Sequence, residues 1–267
     1  MKNFTFLRLH LLLSILILLS IVDASGQKCY PTTIVNNSQG ITTQVSYDAQ
    51  HTITSVTVKT SEGQESYSVS YEKNPAGYKK IFTLNKADSA SSPFTMAKNI
   101  FTYDKNNRLL TIEGSSATLH GTEKFMYNPA GQLAQIDQES SFKDPSGKVY
   151  PDRGRIEYVY PNTTSRNPSE IKTYGIVNNK PGMELIEHDV LTYDNNKNMS
   201  DEFPFSSGPL RTYAANNIIS ANITYVTSNT NVKQSYAYTF NSSGYPTAKT
   251  YQFSGASTTD TYSYDCN

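Results

Sequence analysis

Three histidines, His51, His120 and His188, stand beyond the apolar leader of this chain at intervals of 69 and 68 residues. None sits in a His-Glu-x-x-His or comparable ligand spacing, so no metal set converges on them from sequence. Glu184 and His188 are four apart. On a strand that spacing places both on one face about 13 Å apart, with Asp189 pointing the other way. Each histidine therefore reads as solvated or hydrogen-bonded. Serine is abundant, but no Gly-x-Ser-x-Gly elbow marks a nucleophile. Carboxylates for glycoside cleavage could be drawn from Asp137, Glu139, Asp144, Asp152 and Glu157, and no spacing selects a pair. P-loop and Gly-x-Gly-x-x-Gly fingerprints are both missing. Asp194-Asn195-Asn196-Lys197-Asn198 has the oxygen donors of a calcium loop without its Gly and distal Glu, and reads as turn chemistry. The expectation is no catalytic residue, no metal ligand set and no cofactor.

Two cysteines are the remaining reactive pair, and their chemistry depends on compartment. Lys2 and Arg8 precede an apolar run from Leu9 to Val22, and Ala24-Ser25-Gly26 offers small residues before Gln27. That order predicts a helical secretory signal peptide over residues 1–26. About 14 apolar positions are too few to cross a bilayer core of roughly 30 Å, so no transmembrane helix is expected in the mature chain. Cys29 and Cys266 then lie near the two ends of the mature chain, residues 27–267. In an oxidising compartment an even pair reads as a disulfide tying the ends, with two separate thiols as the alternative. The location expected is periplasmic, outer-membrane-associated or extracellular.

The elements that would position any site follow from composition and repetition. Among 267 residues are 31 Ser, 29 Thr, 23 Asn and 20 Tyr, with no Trp. Charged residues are 17%, and 23 basic residues balance 23 acidic ones. Polarity carried by hydroxyls and amides argues against helical bundles, and zero net charge excludes a broad nucleic-acid footprint. A Tyr or Phe followed by a turn-former returns at Tyr47, Tyr71, Tyr103, Tyr127, Tyr160, Tyr193, Tyr213, Phe240 and Tyr264. Successive anchors are 24, 32, 24, 33, 33, 20, 27 and 24 residues apart. Before an anchor the side chains alternate: Tyr67, Val69 and Tyr71 oppose Ser66, Ser68 and Ser70, which is a half-buried strand. After it, Asp or Asn bonds the backbone ahead, and Gly77, Gly131, Gly244 or Asn107 supplies positive φ. Each period is one hairpin. About eight units predict an all-β antiparallel meander of about 16 strands, closed or partly closed into a barrel or shell, as a single domain.

Tyr103-Asp104-Lys105-Asn106-Asn107-Arg108-Leu109 resembles the Tyr-Asp-x-x-Gly-Arg-Leu unit of YD-repeat proteins, and Tyr127-Asn128-Pro129-Ala130-Gly131-Gln132-Leu133 is the next best match. With the leader and the spacing, the chain looks like uncharacterised exported proteins of Gram-negative bacteria, one family of which is described as a porin-like β-meander. The resemblance implies a fold and carries over no catalytic residue.

Function would sit on insertions between hairpins. Three stand out: 85–99 with Phe94, 143–155 with Tyr150, and 201–210 with Phe203 and Phe205. Their aromatics could stack on a glycan or dock a protein at the cell envelope, or plug a barrel mouth. The leading expectation is an exported binding or structural scaffold. An outer-membrane channel is the alternative and a polysaccharide-acting enzyme the second. Against a channel stand the missing Trp girdle, the mid-strand Tyr and the ending Tyr264-Asp265-Cys266-Asn267.

Overall fold

A computed structural model describes residues 29–61, 63–87, 97–177, 182–198, 214–253 and 255–266. The expected signal peptide, the anchor Tyr213 and the loop aromatics Phe94, Phe203 and Phe205 lie outside the described residues. Sixteen strands follow in order: β1 Cys29–Asn36, β2 Ile41–Tyr47, β3 Ile53–Thr60, β4 Gly63–Asn74, β5 Gly77–Ala87, β6 Lys98–Asp104, β7 Leu109–Ser115 and β8 Leu119–Tyr127. Then come β9 Leu133–Lys143, β10 Val149–Val159, β11 Glu170–Ile176, β12 Met183–Lys197, β13 Asn216–Tyr225, β14 Thr230–Phe240, β15 Pro246–Phe253 and β16 Ala256–Cys266. No helix occurs among the described residues. Every strand pairs antiparallel with its sequence neighbours, and β1 pairs with β16, closing the barrel. Closure leaves no strand edge open to another chain. Turns after even-numbered strands share one end with Cys29 and Cys266, the seam end; turns after odd-numbered strands form the far end.

The seam-end turns show why Asp and Asn follow the anchors. Asp48 Oδ1 accepts the N–H groups of Gln50 at 2.9 Å and Thr52 at 2.8 Å. Asp104 Oδ1 does the same for Asn106 (2.8 Å) and Arg108 (2.9 Å), and Asn241 Oδ1 for Ser243 (3.0 Å) and Tyr245 (2.9 Å). Asn128 Oδ1 accepts from the Gln132 N–H at 3.0 Å. The fourth residue of each turn has positive φ: His51 56°, Asn107 64°, Gly131 82° and Gly244 80°. This is the type I turn closed by a left-handed residue. Histidine in that position was not expected. Gly77 departs from the pattern, because β4 runs on past Glu72 to Asn74 and the turn is made by Pro75 and Ala76. Its φ is 157°, and a β-carbon there would lie 1.8 Å from the Tyr103 carbonyl oxygen. Close approach of two backbones, rather than a left-handed turn, requires glycine at 77.

Near the seam end of β1, β3, β7, β9, β13 and β15 the pairing register skips one residue, at Thr32, Thr54, Leu110, Ala134, Ile219 and Thr247. Such a bulge advances the pleat by one position. Inward residues there stand three apart instead of two: Ile53 and Val56, Leu109 and Ile112, Leu133 and Ile136, Ile218 and Ala221, all buried. The anchoring tyrosines answer the bulges. Tyr47, Tyr71, Tyr127 and Tyr264 donate their hydroxyls to the carbonyls of Pro31 (2.7 Å), Ile53 (3.2 Å), Leu109 (3.0 Å) and Pro246 (2.7 Å). Each accepting residue immediately precedes a bulge. The phenol thus fills the interior while its hydroxyl stays satisfied.

Side chains at even distances before the anchors point inward. Inward side chains of fourteen strands join one buried cluster that includes Tyr67, Phe82, Ile136 and Ile171, each 0% exposed. On β14 the outward positions are small, Ser235, Ala237 and Thr239 being exposed while Tyr236, Tyr238 and Phe240 are half-buried. The apolar face is therefore the inner one.

Candidate functional site

At the seam, Cys29 and Cys266 face each other in the β1–β16 register and form a disulfide, with Cα atoms 4.0 Å apart. The bond encloses nearly the whole described chain and occupies both thiols. The segment expected as a loop over 143–155 is instead a hairpin, with a turn at 144–148 between β9 and β10. Tyr150 is the second residue of β10 at the far end, 45% exposed, its hydroxyl 3.2 Å from Asp144 Oδ2 and Lys148 Nζ 4.8 Å from its ring centre. No second loop aromatic can be set beside it among the described residues.

The carboxylates considered for glycoside cleavage are scattered. Asp137 and Glu157 face outward; Asp137 Oδ1 accepts from Arg155 Nε at 2.8 Å, and Glu157 Oε2 from the Tyr174 hydroxyl at 3.1 Å. Asp144 is spent on its turn, accepting from the Ser146 and Lys148 N–H groups. Asp152 lies on the inner wall opposite Ser140, where burial raises its carboxyl. Asp194 accepts the backbone N–H of Asn196 and of Asn217, so its carboxylate serves the β12–β13 connection. Glu184 and His188 do not share a face. Thr173 pairs with Glu187 and Tyr174 with Leu185, so Ile186 is bulged. That bulge turns Glu184 inward opposite Gly175, while His188 faces out, its Nε2 2.9 Å from Glu170 Oε2. His51 stacks on Tyr30 with ring centres 4.2 Å apart.

The inner wall at the far end carries groups that sequence reading passed over. Asp189 is 0% exposed, paired in register with Ile171 on β11 and Ile223 on β13. Glu187 lies on the same face two residues earlier, between Thr173 and Tyr225. Both oxygens of Asp189, Oε1 of Glu187 and Oγ1 of Thr173 are buried with no hydrogen-bond partner among the described residues. Burial drives both acids up, Glu187 to about 7 and Asp189 to about 8, with the Glu187 charge adding to the shift of Asp189. Burial raises the phenols of Tyr225 and Tyr236, with the Glu187 and then the Asp189 carboxylate adding to the shift of Tyr225, and Tyr251 and then Asp189 to that of Tyr236. On the neighbouring wall Lys249 Nζ pairs with Asp260 Oδ2 at 3.2 Å, and Asp260 Oδ1 accepts the Asn37 N–H at 3.0 Å. Elsewhere on the inner face Lys80 is 2% exposed, its Nζ 5.8 Å and 5.3 Å from the Tyr71 and Tyr103 ring centres. Burial lowers its ammonium to about 7.

A sequence signal for these groups did exist. Counting back by two from an anchor names the inward positions: 191, 189 and 187 from Tyr193, 262 and 260 from Tyr264, 125 and 123 from Tyr127. The buried Glu123, Glu187, Asp189 and Asp260 all fall on that count. A charged residue on the anchor's face was the mark.

No protein-family model and no curated protein matches the chain. Solved structures do. A porin-like protein from Bacteroides vulgatus aligns over 88% of this chain and 99% of its own, with a TM-score of 0.57 and 12% identity. Another porin-like protein, from Bacteroides uniformis, aligns over 88% of this chain and 95% of its own, with a TM-score of 0.46 and 16% identity. At such identities the likeness is one of architecture: the chain has a porin-like β-barrel fold, and no site residue is transferred.

Proposed function

We infer that this chain is an exported barrel that works in water as a binding or structural scaffold at the cell envelope, built from YD-like hairpin units. One observation carries the reading: the polarity of the wall is opposite to that of a membrane barrel. A lipid-embedded barrel shows an apolar band outside and a polar lumen. Here Tyr, Ile, Leu and Phe are packed inside, and Ser, Thr and Lys face out. The outward apolar residues that are exposed, such as Leu110, Met126 and Val190, lie on different strands and make no band. A water-filled channel would also leave inward side chains wet, whereas Tyr67, Phe82, Ile136 and Ile171 are 0% exposed. Partners in this reading are a protein or glycan met at the envelope, and no catalytic role is part of it.

The test uses residues 27–267, oxidised and prepared without detergent. A monodisperse species by analytical ultracentrifugation, with no conductance when added to planar bilayers, supports the scaffold. Precipitation without detergent together with stepwise channel conductance overturns it.

A further inference from the structure

Asp189 presents a physical problem that the barrel itself does not solve. Its two carboxylate oxygens are fully buried between Ile171 and Ile223 with no donor among the described residues. An ionised carboxylate in such a place is stable only when paired or bound to a metal. Oε1 of Glu187 and Oγ1 of Thr173 are equally buried, equally without a partner, and on the same inner face. Thr173 is the independent observation, because its hydroxyl bears no charge and has no reason to be orphaned beside two acids. We propose that Thr173, Glu187 and Asp189 bind a hard cation, calcium by preference, inside the far end of the barrel.

The donor chemistry selects the ion class. All donors are oxygen, two of them carboxylates, which suits calcium or magnesium and not the softer metals held by His and Cys. The donors come from adjacent strands on one wall, so the coordination they offer is one-sided and irregular. Calcium accepts such a set with water completing it, whereas magnesium demands a near-ideal octahedron. Access is short: Tyr225, the register partner of Glu187, is 38% exposed at the far end. Without the ion, burial raises both acids to neutrality or just above it, so binding near pH 7 must displace protons.

The test is thermal unfolding and titration calorimetry of oxidised residues 27–267, stripped with chelator, against CaCl2, MgCl2 and NaCl at matched ionic strength. At a hundredfold excess over Kd, calcium should raise the unfolding midpoint by roughly 5–10 °C. Magnesium should raise it less, NaCl not at all, and calorimetry in two buffers should show proton release. Asp189→Asn keeps the shape and removes the charge, so it should fold and lose the calcium response; Thr173→Val should weaken it several-fold. A wild-type midpoint unmoved by about 10 mM CaCl2, tenfold above the weakest modular sites, overturns the proposal. An Asp189→Asn variant that responds as wild type, or equal shifts with all three salts, overturns it too.

Discussion

Breaking the seam disulfide tests whether the two chain ends are held by chemistry or by the sheet. Cys29 and Cys266 are 237 positions apart and oppose each other in the β1–β16 ladder. For a loop of that length the chain-entropy treatment assigns roughly 5 kcal/mol, by restricting the unfolded ensemble. The folded state should lose little, because the ladder continues from Tyr30 to Val35 and the Tyr47 and Tyr264 hydroxyls still reach β1 and β15. Residual structure in the unfolded chain lowers the figure, so it is a ceiling. With a urea slope of about 3 kcal/mol per M, the full effect corresponds to a midpoint shift of about 1.7 M. The Cys29→Ser/Cys266→Ser protein should therefore fold to the same barrel and unfold at a urea concentration lower by about 1 M or more. Amide exchange should quicken first in β1 and β16, since their ends are then free to fray, and last in β8 and β9. A midpoint within about 0.3 M of the oxidised protein, or exchange that quickens evenly around the barrel, would refute the reasoning.

Other consequences follow from the same geometry. Tyr127→Phe leaves the Leu109 carbonyl without its 3.0 Å donor and should cost about 1–3 kcal/mol in chemical denaturation, as should Tyr47→Phe at Pro31. The two sites lie in separate hairpins, so their costs should add; strong non-additivity would contradict independent anchors. Gly77→Ala forces a β-carbon to within 1.8 Å of the Tyr103 carbonyl and should destabilise by several kcal/mol, against about 1–2 kcal/mol for Gly131→Ser, where space is open and only the positive φ of 82° opposes a side chain. Glu187 and Asp189 hold protons in the folded barrel that the unfolded chain releases, so stability should fall as pH rises from about 5 to 7 in chelator. The slope approaches about 1.4 kcal/mol per pH unit for each group, and Asp189→Asn should remove close to half of it in midpoints measured across that range.

What could be read from sequence divides along the barrel axis. The strand number, the antiparallel order and the turn chemistry at Asp48, Asp104, Asn128 and Asn241 were legible because each is set by local rules, period two, Asx turns and positive φ, whereas closure rests on the distant pairing of β1 with β16 and was left open. The bulges were not. A skipped residue at Thr54 or Leu110 has no signature in a single strand, since it exists only as a mismatch between two. That omission mattered at β12, where the bulge at Ile186 separates Glu184 from His188, two residues that simple alternation puts together. Glu187 and Asp189 fall on the anchor's count, but their grouping with Thr173 was hidden for a related reason. Thr173 and Glu187 are 14 positions apart in sequence and direct neighbours in register, and no spacing rule spans that gap. Of the segments in which function was expected, the one around Tyr150 is strand and turn, and Phe94, Phe203 and Phe205 lie outside the described residues.

The residues able to do chemistry sort by whether the fold already uses them. At the seam end most of the groups named above are already used, although the Tyr193 hydroxyl is buried without a hydrogen-bond partner among the described residues. Cysteines bond each other, Asp and Asn side chains close turns, and tyrosine hydroxyls bind the carbonyls beside the bulges. Each of those bonds has a partner fixed by the repeat, so it is required for folding and unavailable for anything else. At the far end the repeat makes no such demand. Inward positions there hold Gly114, Gly121, Gly154 and Gly175, all buried, beside Thr173, Glu187 and Asp189. A scaffold selected only for stability would place isoleucine at 189, as it does at its register partners 171 and 223. A buried, unpaired carboxylate there lowers stability near neutral pH, and a core tolerates such a group when something outside the repeat uses it. The physical case for function therefore rests on the inner wall of β11 to β13.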